Sequence, residues 1–127
     1  MRTEDARVIR LADYAPADYL IDTVDLDVAL APEATVVTAE LLLRPNPAGQ
    51  ANVQLVLDGD GLVLAEPPLL DNAALSDDAF AATPDGFTLH RPPARPFRLR
   101  LKTRLDPTAN SQLMGLYRSR QTYCTQC

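Results

Sequence analysis

Cys124 and Cys127 stand three apart in "YCTQC" and are the only cysteines in a chain of 127 residues. A pair at this spacing is half of a zinc site, a redox dithiol, or two thiols in a loop. Structural zinc takes four ligands; the single histidine, His90, brings the count to three at most. A redox dithiol needs its first cysteine at a helix N-terminus within an α/β fold. Residue chemistry therefore favours two uncommitted thiols. His90 would have to serve any Ser-His or Cys-His pair, yet it stands before two prolines with nothing nearby to complete a triad. The "DGDG" run at 58–61 has the look of a calcium loop but lacks the later liganding glutamate, and reads as a turn. Asp22, Asp25 and Asp27 fall on two faces of a strand and do not converge. No HExxH, P-loop or GxSxG motif is present, so the residues supply no complete active site.

One further cluster has a regular spacing. Arg98, Arg100, Lys102 and Arg104 alternate with Phe97, Leu99, Leu101, Thr103 and Leu105. Four cations on one strand face can track phosphates. Single-strand nucleic-acid readers also need aromatic stacking platforms, and none is interleaved here. A solvated face pairing with Asp25, Asp27 or Glu40 is the better account, since opposite charges across strands are favourable. The charge is unevenly spread. Residues 1–86 carry four arginines against sixteen carboxylates, and residues 87–127 carry eight cations against one. The overall charge of -5 argues against a nucleic-acid partner.

The elements that hold these residues read as strands. "DYLIDTVDLDVAL" (18–30) places Val24, Leu26, Val28 and Leu30 on one face and Thr23, Asp25 and Asp27 on the other. "TVVTAELLLR" (35–44) alternates in the same way, with Val37, Ala39, Leu41 and Leu43 inward, so the two predict an antiparallel hairpin across "APEA". Two short strands about the Asp-Gly pairs are predicted over 52–70, then an irregular stretch over 70–80. A second hairpin is predicted over 80–93, with a type I turn at Thr83–Gly86. Residues 96–107 form the most regular strand, and 108–127 read as extended loop with a helical turn near Leu113–Leu116. The eleven prolines oppose long helices. The expectation is a single all-β domain over 1–127, an antiparallel β-sandwich or open barrel. No secretory signal or apolar run long enough for a membrane span is seen, and a cytoplasmic setting is expected.

"LADYAPADYLIDTVDLDVAL" together with "RLDPTANSQLMGLYRSRQTYCTQC" resembles the N-terminal domain of bacterial aminopeptidase N, of the M1 zinc metalloaminopeptidase family. The family's "P-x-x-N-(S/T)-x-L-x-G-L-Y" falls on Pro107, Asn110, Ser111, Leu113, Gly115, Leu116 and Tyr117, and its "C-T-Q-C" on Cys124, Thr125, Gln126 and Cys127. The match spans nearly the whole chain, with the middle strands matched by pattern only. Met114 and Ser111 depart slightly from the usual residues.

The resemblance implies a saddle-like β domain, here incomplete, whose loop reaches a catalytic domain of the same full-length protein. It implies that Gln126 lines the pocket for the substrate's first side chain and that an acidic residue beyond Cys127 grips the peptide N-terminus. The zinc, its HExxH helix and the GxMEN motif belong to the missing catalytic domain. This chain is then expected to have no catalytic residue, no metal ligand and no activity alone, its cysteines packing the loop. Association between copies through an unpaired sheet edge is also expected. The reading opposed to this one is a free-standing β-sandwich module that uses the basic strand face for an anionic partner.

Overall fold

The computed structural model describes residues 15–59, 61, 63–110 and 115–126. Among these residues there are strands and no helix. In chain order they are β1 (Tyr19–Ala29), β2 (Thr35–Pro45), β3 (Leu55–Asp58), β4 (Val63–Leu64), β5 (Leu69–Leu70), β6 (Ala73–Ala74), β7 (Phe80–Thr83), β8 (Gly86–Leu89), β9 (Phe97–Leu105), β10 (Gly115–Ser119) and β11 (Thr122–Gln126). Every pairing is antiparallel. The expected all-β, antiparallel class is borne out.

The large sheet runs β1-β2-β9-β5-β6, with β4 also on β9. The period-two alternation of β1, β2 and β9 keeps register across all three. Val24 faces Leu41, which faces Leu99; Leu26 faces Ala39, which faces Leu101. One side of this sheet is therefore apolar. A smaller sheet, β3-β8-β7, covers part of it. The core forms where they meet: Leu41, Leu43, Phe97 and Leu99 from the large sheet, and Leu55, Phe87 and Leu89 from the small one. Tyr19 meets Phe97 edge to face at 6.3 Å and donates its hydroxyl to the Val53 carbonyl at 2.5 Å. Burial, with the nearby Asp18 charge, pushes the Tyr19 phenol up.

Turns carry their own chemistry. Thr35, fully buried, donates its hydroxyl to the Ala31 carbonyl at 2.7 Å and accepts the Ala31 N–H at 3.0 Å, closing the β1–β2 connection. The Thr83–Gly86 hairpin is found as expected, with neither Pro84 nor Asp85 at positive φ. A Cβ on Gly86 would lie 2.6 Å from the Leu57 carbonyl oxygen, so this strand pair needs glycine there.

Three expectations need correction. The strands over 52–70 are not a hairpin: β3 pairs with β8 and β4 with β9, so the chain changes sheets at the Asp-Gly run. The amides of Gly59 and Gly61 bond instead to the Asp85 and Pro84 carbonyls, each at 2.9 Å, and Gly61 takes φ 68°. The stretch over 70–80 contains a tight hairpin, β5–β6, turning on Asp71 and Asn72 at φ 49° and 68°. Asp and Asn tolerate the left-handed region, so this pair turns without glycine. Residues 115–126 form a hairpin, not a loop; 113 and 114 lie outside the described residues.

Asp71 also clasps β9. One carboxylate oxygen accepts the Arg98 N–H at 2.8 Å and the other the Arg95 guanidinium at 2.9 Å. These bonds, the backbone one first, hold its carboxyl below the usual range against a smaller opposing effect of burial. A lowered folded pKa stabilises above the unfolded value, about 3.9, and the benefit disappears as pH falls through the folded one. Asp71→Ala is expected to cost about 1 kcal/mol at pH 7, allowing for solvent screening. The difference in urea midpoint between the variant and the parent should shrink as pH falls through the folded pKa of Asp71. Leu99 is 0% exposed; Leu99→Ala should cost about 2–5 kcal/mol in the same denaturation. Leu26 is 63% exposed; Leu26→Ala should cost under about 1 kcal/mol, because little of its surface leaves water on folding.

Candidate functional site

The hairpin bearing the cysteine motif is a two-stranded sheet of its own. Ser119 faces Thr122 around Arg120 and Gln121, with Arg120 at φ 56°. Neither residue is characteristic turn chemistry, which is why the alternation-based reading missed it. Tyr117 faces Cys124, and Arg118 faces Tyr123, its guanidinium 5.7 Å from the ring centre. The hairpin is tied to the end of β9 through the turn after Leu105. Arg118 donates its N–H to the Pro107 carbonyl at 3.1 Å, and the Asn110 side-chain amide donates to the Leu116 carbonyl at 2.9 Å. Pro107 is fully buried and Thr108 bonds back to Pro32 at 2.6 Å, so this turn is anchored to the large sheet.

Gln126 ends the ladder opposite Gly115. Cys124 is half-buried with its sulfur 3.9 Å from the Thr122 carbonyl; Cys127 lies outside the described residues. No group of three or more potential metal ligands occurs among the described residues. His90 is not near the cysteine motif: its Nδ1 sits 3.4 Å from the Gln54 amide, and its N–H bonds to Ala79. The structure does not bring His90 together with Cys124.

The basic stripe lies on the side of β9 away from the core. Arg98 meets Glu40 at 3.0 Å and Lys102 meets Glu66 at 3.0 Å. Pairing with Glu40 was expected; Asp25 and Asp27 are not reached. Asp22 is on the side of Arg44 and accepts from its Nε at 3.1 Å, because the register shifts between Ile21 and Thr23. That shift was invisible in the alternation.

A feature missed in the sequence is an apolar cleft of about 510 Å³ between the sheets. Val37, Ala39, Leu101 and Thr103 form its floor, with Leu57 and Phe87 opposite. Beside it, the expected inward face of β1 is open: Val24, Leu26, Val28 and Leu30 are 46–63% exposed. The small sheet covers the Leu43–Phe97 end of the ladder and leaves the β1 side uncovered. Alternation correctly assigned these residues to the apolar face; it carries no information on whether that face is covered.

The chain is 36% identical over all 127 residues to aminopeptidase N of Caulobacter vibrioides, covering 14% of that protein. It is 31% identical over 118 residues to aminopeptidase N of Escherichia coli, covering 91% of this chain and 12% of that one. This chain is related to aminopeptidase N. The backbone agrees: a crystal structure of Legionella pneumophila aminopeptidase A in complex with aspartic acid superposes with a TM-score of 0.75 at 28% identity, over 88% of this chain and 13% of that one. The aminopeptidase N resemblance read from the two terminal stretches is thus borne out, and the chain spans about one seventh of the first relative's length. No protein-family model matches the sequence. No helix among the described residues is long and apolar enough to cross a membrane.

The attachment of the hairpin is open to a direct check. Asn110→Ala removes a bond worth about 1 kcal/mol. Amide exchange of Leu116–Ser119 should quicken about five- to tenfold, with core amides of β9 unchanged.

Proposed function

We propose that this chain is a non-catalytic, N-terminal β domain of a zinc aminopeptidase, which removes N-terminal amino acids from peptides. The observation that carries the reading is whole-length similarity to aminopeptidase N confined to a small part of that protein. The chain's contribution is positional. The large sheet anchors the turn at Pro107, the turn carries the hairpin, and the hairpin ends at Gln126. A recognition residue held in a paired strand loses less freedom on binding than one in an open loop.

On this reading the zinc is held outside these residues: no group of three or more potential metal ligands occurs among the described ones, fewer than the four that structural zinc takes. The metal would be held by the catalytic domain, the partner this β domain supports, and the peptide's ammonium would be met there by carboxylates. An unbridged thiol at Cys124 suits a reducing, cytoplasmic setting.

The reading of a free-standing anion-binding module is less well supported, because Arg98 and Lys102 are already engaged by Glu40 and Glu66.

Two measurements test the proposal. The isolated chain should release no amino acid from an alanyl-anilide and carry no stoichiometric zinc; turnover with one zinc per chain would overturn it. In the longer enzyme, Gln126→Ala should lower kcat/KM about tenfold for substrates whose first side chain the glutamine touches. An unchanged kcat/KM across first residues would remove Gln126 from the pocket.

A further inference from the structure

Among the described residues, nothing pairs with the outer edge of β1. β1 is eleven residues long and lies at the end of its sheet. Natural edges are blunted by short strands, charged side chains, proline or bulges. β1 contains no proline and no lysine; its charges are the aspartates Asp22, Asp25 and Asp27, which repel an acidic strand and not a basic one, and its one irregularity, at Asp22, leaves Thr23–Ala29 regular.

Both faces of that stretch describe what is missing. On the apolar side, Val24 is 51% exposed although its row-mates Leu41 and Leu99 are 8% and 0% exposed. The row is a core row that stops one strand early. On the polar side, Asp25 faces Glu40, and Glu40 faces Arg100 while bonding to Arg98. Reading outward from β9, the row runs cation, anion, anion. Like charges directly opposite are destabilising, and a cation on a further strand would relieve Asp25. Asp27 stands two residues on, facing Thr38. Among the described residues neither Asp25 nor Asp27 has an ion-pair partner.

A second copy of β1 is a poor occupant. Two-fold antiparallel registers centred on Asp25, Leu26 or Asp27 keep the apolar faces together, and each sets an aspartate against an aspartate of the other copy; those centred on Val24 or Val28 avoid this but pair only three residues of the regular stretch Thr23–Ala29. We propose that the β1 edge takes up one further antiparallel strand in which apolar and basic residues alternate. Resting on the reading of this chain as one module of a larger enzyme, that strand comes from another part of the same polypeptide. Its apolar residues extend the rows of Val24, Leu26 and Val28, and its lysines or arginines lie beside Asp25 and Asp27.

The probe is a capped nine-residue peptide alternating valine with lysine, set against the same peptide with glutamate for lysine. With the lysine peptide, amide exchange of Thr23–Ala29 should slow about tenfold, less so at high salt. The glutamate peptide should give no protection, and a double variant, Asp25→Lys with Asp27→Lys, should reverse the preference. In the longer protein the same amides should be protected without peptide. No protection by the lysine peptide, or equal protection by both peptides, would overturn the inference. So would self-association of this chain at pH 7 that protects the same amides, or an exchanging β1 edge in the longer protein. None of these readouts involves Gln126 or zinc, so failure here leaves the aminopeptidase reading to its own tests.

Discussion

The structure depends on a three-strand ladder in which β2 is held between β1 and β9 with residue-by-residue register. Because side chains alternate along each strand, register concentrates the apolar residues of all three on one surface. That surface must be covered, and the small sheet covers only part of it. Burial at Leu43, Phe97 and Leu99 and exposure at Val24, Leu26 and Val28 are two ends of the same face. The stability of the domain and its unfinished character have one origin.

The cysteine hairpin is the opposite kind of element. None of its described residues belongs to the buried core, and it hangs on the anchored turn at Pro107. Its own cohesion comes from the ladder and from Arg118 over Tyr123. The proposed function uses the sheets that share the core as support and the attached hairpin for presentation.

Where alternation was strong, the fold was legible: β1, β2 and β9 lie where period two put them, and Thr83–Gly86 turns as proline and glycine require. The errors have physical causes. Alternation cannot say which strand pairs with which, so β3 and β4 were joined when the chain in fact changes sheets between them. Turns built on Asp71-Asn72 and Arg120-Gln121 lack glycine and escaped notice. The proposed site rests on the residues "CTQC" and their resemblance alone; no local chemistry marks Gln126 as a pocket residue. The cleft was not legible at all, since it depends on how far one sheet extends over another.

Leu43 and Phe97 lie side by side, yet more than fifty residues separate them along the chain. The chain between them crosses to the small sheet as β3, rejoins the large one as β4, β5 and β6, and crosses again as β7 and β8, so that Leu55, Phe87 and Leu89 plug the core. β1 and β2 pair across a short turn, whereas pairing β2 with β9 must close this long detour, so loop-closure entropy weighs on the second pairing and hardly on the first. The entropy of closing such a detour grows only slowly with its length, so the plug and the ladder set its cost more than its outer loops do.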